Sequence, residues 1–396
     1  MEWLFDWYGG LLGLGLWGYV AAGVVTVQVT VFAVTLYLHR DAAHRAVDLH
    51  PAIRHFCRFW LWLTTGTSTR EWVSIHRKHH ARCETADDPH SPQVFGLRKV
   101  LLEGAELYRA EARNAGTLEK FGRGTPDDWL ERRVYSHTYA GIWIMIAAFV
   151  VLFGVPGIIL VAVQLVSQPV LAAGIVNGVG HHTGYRNFET PDASRNILPW
   201  GLLIGGEELH NNHHAFPSSA RFSIRPWEFD IGWAVLRALS VLGLADIRRT
   251  APRPVVAPAR SGIDLETVRA VIVGRMHVMR HYTRNVTLPV LRAELAALRA
   301  RIPERAGRLK RLVTRESSLL DAAARQRLAE VLATSQALAT VHEFREGLKA
   351  LWTSANTSND RLIDQLKDWC ARAEASGVRS LQEFARVIRG YSLRPA

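Results

Sequence analysis

Residues 134–185 read VYSHTYAGIWIMIAAFVVLFGVPGIILVAVQLVSQPVLAAGIVNGVGHHTGY, 52 consecutive positions without an Asp, Glu, Lys or Arg. About 20 apolar residues cross a hydrocarbon core of roughly 30 Å, so this run is long enough for two crossings. Gly154-Val155-Pro156-Gly157 near its middle carries turn chemistry. It predicts a tight extracytoplasmic hairpin between spans near 138–154 and 157–178. A soluble core rarely keeps so long a stretch free of formal charge. A second uncharged run leads from Trp7 to His39 and is almost wholly apolar or Gly between Leu11 and Leu38. It predicts a single crossing with some tilt. Glu2 and Asp6 stand where a signal peptide would carry basic residues. The first basic residue is Arg40, followed by Arg45, Arg54, Arg58, Arg70, Arg77 and Lys78. The positive-inside rule therefore puts the amino end outside and the chain from about His39 onward in the cytoplasm. Segments 52–66 and 229–245 are apolar but short. With Trp60, Trp62, Trp227 and Trp233 in or beside them, they read as helices lying at the membrane interface.

Whole-chain averages conceal this pattern. With 396 residues, 48% hydrophobic, a mean hydropathy of +0.01 and a net charge of +12, the protein resembles an ordinary basic soluble chain. Residues 251–396, however, hold 25 Lys and Arg against 14 Asp and Glu, and only 2 of the 13 Trp, Trp352 and Trp369. Almost all of the net charge therefore sits in the last third. The expected organisation is all-α: a helical membrane domain over 1–250, a Pro/Ala linker over 251–262 and a soluble basic helical extension over 263–396. Helical patterns in the extension fall near 263–285, 290–313, 318–352 and 359–390, with Leu338, Val341, Phe344, Leu348 and Leu351 at offsets of three and four. Asp264 or Ser261, and Ser317 or Ser318, are the expected caps; Pro289 and Pro303 are the expected breaks. No catalytic pattern shows in the extension. Composition excludes a disordered or collagen-like chain. Cys57, Cys83 and Cys370 lack any CxxC spacing, which excludes a zinc knuckle or a disulfide framework.

The chemistry lies in the histidines. His39 and His44 follow the first apolar run, His76, His79 and His80 form a second group, and His210, His213 and His214 a third; Asn177 precedes His181 by four. Offsets of three and four share a helix face, so each of the last three sets can converge on a point. His39 and His44, five apart, do not share a face on a regular helix and mark a bend or an end of the first span. All four groups fall on the cytoplasmic side of the predicted topology. Eight or nine imidazoles exceed what one four- to six-coordinate ion takes, so two metals are indicated, and no cysteine lies within these groups. A pair of redox-active irons is the better reading, because oxygen chemistry needs more than one stored electron. His50, His55, His90, His137 and His182 lack the pattern, and His277, His281 and His342 in the basic extension receive no metal role.

On these residues the sequence resembles the membrane fatty-acid desaturases, in their acyl-CoA (delta-9) desaturase-like branch, over roughly 10–250. The match rests on the HRxxxH box at His39–His44, the HRxHH box at His76–His80 and the HNxHH box at His210–His214. Asn177-x-x-x-His181, Gly184-Tyr185-Arg186 and Ser194-Arg195-Asn196 extend it. The resemblance implies a cytosolic cap holding two Fe2+ through His39, His44, His76, His79, His80, His181, His210, His213 and His214, with Asn177 acting through a water. It also implies O2-dependent removal of two hydrogens from an acyl chain, commonly between carbons nine and ten. Four spans with both termini inside mark the animal enzymes; the present sequence supports three.

Other assignments follow from the residues. Glu71, Asp87, Asp88, Glu207 and Glu208 lie near the boxes and are candidates to accept the outer ring N–H of ligating histidines. Arg70, Arg186 and Arg195 are candidates for a phosphate headgroup, of acyl-CoA or of phospholipid. Phe56, Phe59, Trp60, Trp62, Trp72 and Trp143 are candidates to line an acyl tunnel. No dinucleotide turn, cysteine cluster or fused haem motif is present, so electrons are expected from a separate ferredoxin- or cytochrome-type carrier with its reductase. The expected location is a bacterial inner membrane, with multiple passes and with boxes and extension cytoplasmic. The alternative enzyme is a membrane di-iron alkane or lipid hydroxylase; the alternative of another class is a non-enzymatic metal binder or sensor. Within the extension, Trp369–Ala385 resembles a segment near the end of some bacterial transposases without their catalytic carboxylates. Membrane lipid or the electron donor, and not nucleic acid, is its expected contact.

Overall fold

The computed structural model describes residues 8–256, 262–302, 304–353 and 358–393. They are mostly helical, with three short two-stranded pairings. The chain forms two compact units, one of Met1–Arg186 with Asp192–Ala251 and the other of Asn187–Pro191 with Pro252–Ala396.

In the first unit, helix α1 (Leu16–Phe32) runs without interruption into a π-helical stretch, Ala33–Ala43. Helices α2 (Pro51–Thr65) and α3 (Thr69–Arg82) follow, separated at Gly66, whose φ of 63° ends α2 in the left-handed region that glycine favours. Helix α4 (Leu97–Ala112) leads on to α5 (Thr138–Phe153) and α6 (Val155–Gln168). At Pro169, α6 changes into a second π-helical stretch, Pro169–Gly178, and ends in a tight turn at Val179–His181. Proline removes a backbone N–H and crowds the carbonyl four residues back, which accounts for the change of pitch. The short helix α7 (His210–Ala215) and helix α8 (Ile231–Val241) complete the unit.

The expected hairpin forms at Gly154, with φ 66°. A Cβ there would stand 2.2 Å from Tyr8 O, so only glycine fits. Leu11 N and Leu12 N donate to Val151 O and Leu152 O at 3.0 Å, and Val155 N donates to Tyr8 O at 3.1 Å. The approach to α1 and the α5–α6 turn therefore share one end of the unit. Inside, Thr30 Oγ1 accepts from Trp60 Nε1 and from Gln164 Nε2, both at 2.8 Å, which ties α1, α2 and α6 together.

The spans expected near 138–154 and 157–178 correspond to α5 and to α6 with its π-helical continuation, and the first expected span to α1 with its own. Among the described residues, two helices are long and apolar enough to cross a membrane by length and composition, Leu16–Ala43 with 28 residues and Val155–His181 with 27. At 16 residues α5 is a shorter apolar helix, about 24 Å at a 1.5 Å rise per residue. It is held short by Gly154 at one end and by Ser136-His137, after the π turn Glu131–Tyr135, at the other.

The second unit is helical around its own core. Trp369, fully enclosed, donates Nε1–H to Phe344 O at 3.0 Å. Buried Arg345 holds the carbonyls of Val313, Thr314 and Arg315 at the end of helix Ala306–Thr314. Three expectations change here. The predicted linker contains a strand, Pro254–Val256, paired antiparallel with Tyr391–Leu393, a pairing suited to its two valines. Asp264 caps its helix as expected, but Asp321, and not Ser317 or Ser318, caps Ala322–Thr334. Pro289 does not end the helical run, which continues from Arg275 to Arg301; as at Pro169, a π-helical stretch, here Thr283–Thr287, lies beside the proline. Ser261 and Pro303 lie outside the described residues.

Candidate metal centre

Helix α3 carries His76, His79 and His80, capped at its start by Ser68 Oγ, which accepts from Glu71 N. Arg77, in the same box, faces away from the imidazoles. Its guanidinium donates to Ala42 O (2.8 Å) and Ala43 O (3.0 Å), the last residues of the first long helix, and to Phe121 O and Arg123 O. One arginine thus fixes α3 across the end of that helix.

The π-winding answers the spacing of His39 and His44. In a helix bonded i to i+5, these two residues stack, and His44 N donates to His39 O at 3.0 Å. Their ring centroids lie 4.9 Å apart. On the other side, Asn212 anchors α7 by donating Nδ2–H to Glu228 Oε2 (2.8 Å) and Phe222 O (2.9 Å). His210 and His214 are thereby held against His181 at the foot of the second long helix, and His213 against His39 and His80.

The nine imidazoles divide into two groups, His39, His44, His76, His80 and His213 in one and His79, His181, His210 and His214 in the other. Within each, the ligand atoms lie within 4.8 Å of one another. Inner nitrogens meet at 3.0 Å (His39–His213), 2.9 Å (His213–His80), 2.8 Å (His44–His76) and 3.0 Å (His181–His210), all between Nε2 atoms. Asn177 is half-buried in the π-helical stretch, one turn before His181.

Outer nitrogens face carboxylates. His39 Nδ1 stands 2.6 Å from Glu207, His79 Nδ1 3.0 Å from Asp88, His181 Nδ1 3.0 Å from Glu84 and His214 Nδ1 3.1 Å from Asp192. An ionised carboxylate only accepts, so Nδ1 carries the proton and the Nε2 lone pair points inward. The buried Nε2 of His214 has no hydrogen-bond partner among the described residues. Buried lone pairs without donors suit a cation, and imidazole suits iron, zinc, copper or nickel. The donor set therefore fits a pair of such ions.

Burial pushes His76, His80, His210 and His213 well below the ordinary imidazole value, which keeps them neutral. His214 is lowered to about 4, by burial against the opposing pull of Asp192. Burial would raise the Asp88 and Asp192 carboxyls, but His79 and His214 beside them, by charge and hydrogen bond, hold both well below the usual range. The sign for stability follows. An unfolded histidine takes a proton near pH 6.5 and the folded His214 only near 4, so between these values the unfolded chain binds more protons. Stability of the metal-free protein is expected to be complete above pH 6.5 and to decline as pH falls towards 4. Unfolding midpoints across that window check this, and a rise on acidification would contradict it.

Among the carboxylates expected beside the histidines, Asp88 and Glu207 meet a ring nitrogen. Glu208 instead accepts the backbone N–H groups of Leu203, Ile204 and Gly206 and shapes the loop before α7. Glu71 lies half-buried in the first turn of α3, where burial raises its carboxyl. Asp87 is exposed. Sequence reasoning missed Glu84 and Asp192. Glu84 reaches His181 from a left-handed conformation (φ 63°), and Asp192 lies 22 residues from His214, so no spacing rule marks either one. Asp88→Ala is expected to weaken metal binding roughly ten- to a hundredfold, read by equilibrium metal titration. Arg186 Nη1 donates to Asp192 O and Ser194 O, and Arg195 Nη1 to Gly184 O, so both stitch the 184–196 loop; Arg70 is exposed. Of the tunnel candidates, Trp72 stacks on His76 at 4.8 Å, whereas Trp143, Phe56 and Phe59 are exposed.

Long apolar helices ending in two imidazole groups with carboxylates behind them define a class, the histidine-rich membrane proteins. The chain belongs within it to the fatty acid desaturase family, whose model matches residues 14–241. Among similar proteins, a probable lipid desaturase of Arabidopsis thaliana is 32% identical over 54% of this chain and 58% of its own length. An acyl-CoA 5-desaturase of Anemone leveillei is 34% identical over 61% and 72%. An sn-1 stearoyl-lipid 9-desaturase of Synechocystis sp. is 28% identical over 64% and 76%. Residues 266–393 match a second family model, described as a transposase. That similarity runs far beyond the Trp369–Ala385 stretch in which the sequence suggested it. No metal-ligating group forms in that unit among the described residues.

Proposed function

We propose that the protein is an O2-dependent desaturase that places a cis double bond, at the delta-9 position, in a long acyl chain carried as acyl-CoA or phospholipid. The observation that carries this reading is the division of nine imidazoles into groups of five and four, with carboxylates behind four of them. Two Fe2+ ions are the proposed occupants. His39, His44, His76, His80 and His213 would hold one, and His79, His181, His210 and His214 the other, with Asn177 acting through a water. When bound, the irons supply the redox capacity that O2-dependent hydrogen removal from a methylene requires.

The remaining work belongs to the chain. Glu207, Asp88, Glu84 and Asp192 hold their histidines in one tautomer with the lone pair inward. Seven of the nine histidines are buried, which keeps bulk water from the reacting carbons. Arg70 is the exposed candidate for a phosphate headgroup; Arg186 and Arg195 would contribute from a loop they also brace. Electrons are proposed to arrive from a separate ferredoxin- or cytochrome-type carrier, steered by basic charge on the cytoplasmic face. The proposed location is a bacterial inner membrane, and the cluster of cations after His39 supports the boxes lying on its cytoplasmic side. The relatives named delta-9 and delta-5 desaturases favour this reading over a hydroxylase. Expression in a host lacking its own desaturase, with mass spectrometry of acyl chains, tests it. Monounsaturated chains dependent on O2 are expected, and hydroxylated chains in their place would overturn the proposal.

A further inference from the structure

Net charge in the second unit is concentrated in one stretch. From Arg269 to Arg315 the sequence carries 12 Lys and Arg against two carboxylates, Glu294 and Glu304, whereas residues 316–396 are nearly balanced at 11 against 10. Both carboxylates of the stretch are half-buried and engaged within the unit. Glu294 accepts Ser335 Oγ–H at 2.9 Å, and Glu304 pairs with Arg327 at 3.1 Å and with Arg308 at 3.5 Å.

Folding turns the other cations outward. Arg275–Tyr282, Thr283–Thr287 and Leu288–Arg301 form one helical run. Arg284, Arg292 and Arg299 follow one another at eight and seven residues, two turns each, and the longer step contains the wider π-helical turn, so the three form one stripe. All three are exposed, as is Ala296 between the last two, while Val286 and Val290 on the other side are buried. Helix Ala306–Thr314 packs beside this run and adds exposed Arg311 and, just past its end, exposed Arg315; Leu309, Leu312 and Val313 form its buried side. These five arginines meet no carboxylate among the described residues.

Exposed guanidiniums without carboxylates suit a polyanion, because each fork holds a phosphate through two hydrogen bonds. Two observations favour a bilayer surface over nucleic acid. The unit is joined by continuous chain to a domain with helices of membrane-spanning length, so lipid headgroups are offered to it at a high effective concentration. Val256 and Val273 are, among the described residues, the large apolar side chains that this unit exposes. Both sit on elements that pack on strand Tyr391–Leu393, and exposed Arg269 and Arg275 flank Val273. Apolar side chains among cations suit the boundary between headgroups and acyl chains and gain nothing from the phosphates of a duplex. We propose that the stripe of Arg284, Arg292 and Arg299, with Arg311 and Arg315, docks the second unit on anionic phospholipid headgroups of the bilayer that holds the first. The proposal rests on the membrane placement read above and is independent of the reaction.

A fluorophore at position 296 tests this without reference to turnover. Full-length protein carrying Ala296→Cys is labelled and placed in lipid nanodiscs that contain a lipid with a quencher on its headgroup. Cys57 and Cys370 are buried, and the chain without Ala296→Cys, labelled alike, corrects for Cys83. Discs of phosphatidylcholine alone are compared with discs that also hold phosphatidylglycerol. Quenching is expected with phosphatidylglycerol, and its loss in phosphatidylcholine and in 1 M salt, where the Debye length falls to about 3 Å. Arg284→Gln, Arg292→Gln and Arg299→Gln together should lower the docking equilibrium roughly a hundredfold, at about fivefold per charge. Equal quenching in the two kinds of disc, or none in either, would overturn the docking and leave the membrane placement standing. Release of the label from the lipid by an equimolar short DNA duplex would assign the face to nucleic acid and refute the proposal. Protein that does not enter the discs would overturn the membrane placement and the docking together. The lipid and salt comparisons keep every arginine, so a folding defect in the triple variant leaves the test intact.

Discussion

A His213→Ala chain is expected to bind one metal ion where the unaltered protein binds two, and to make no measurable unsaturated product. His213 Nε2 lies 3.0 Å from His39 Nε2 and 2.9 Å from His80 Nε2, so its ring joins a ligand from the first long helix to one from α3. Phe222 packs against the same ring at 4.8 Å and closes its outer side. Alanine leaves the other four imidazoles of the group without the member that closes the ring of contacts. Loss of an outer partner alone typically costs ten- to a hundredfold in affinity or activity, so loss of the ligand itself should exceed about a hundredfold. His90→Ala supplies the comparison. His90 stacks on His79 at 4.5 Å but belongs to neither ligand group, so two ions should remain. Metal analysis beside acyl-chain analysis separates the cases. Equal metal content in His213→Ala and the unaltered chain would remove His213 from the site.

The three histidine boxes were legible because helical periodicity is a local property. His76, His79 and His80 needed only offsets of three and four, and α3 delivers them to one side. His39 and His44 needed a change of helical pitch, which no spacing rule announces; the structure meets it with a π-helical stretch from Ala33 to Ala43. The carboxylates divided along the same line. Asp88 and Glu207 lie close in sequence to a box, and proximity suggested them. Glu84 was overlooked because its reach depends on a left-handed turn, and Asp192 because the contact is made by a loop folding back. In the membrane region the uncharged run of 52 residues sufficed to place the turn at Gly154 and the two helices beside it. One of them, α5, is cut to 16 residues by turn chemistry at both ends. In the basic extension the linker was read from Pro and Ala alone. Val255 and Val256 pair with Tyr391–Leu393, a partner more than 130 residues away that composition does not reveal.

Removing the carboxylate of Asp230 should destabilise the protein by about 3–5 kcal/mol, the cost of leaving a buried charge without its partner. Arg40 follows His39 on the π-helical stretch, and its side chain, like that of Asp230, is fully enclosed. Arg40 Nη2 donates to Asp230 Oδ1 and to Gly205 O, each at 3.0 Å, and the guanidinium lies 4.0 Å over the Phe222 ring. Asp230 also accepts Phe222 N at 2.8 Å and caps α8 through Trp233 N at 2.9 Å. In Asp230→Ala, Arg40 keeps one carbonyl and one aromatic face, too little to offset its desolvation. Phe222 loses its tether, and with it the packing behind His213. The exposed Arg379–Glu383 pair provides the contrast. With side chains 91% and 58% accessible, it should change stability by well under about 1 kcal/mol on removal. Because breaking a buried pair costs more than replacing it, Arg40→Met combined with Asp230→Leu should recover part of the loss. Inactivation half-lives at a fixed temperature in detergent rank the three chains. If Asp230→Ala proves as durable as the unaltered protein, the buried pair does not hold the first long helix to the loop before α8, and the placement of His39 has another cause.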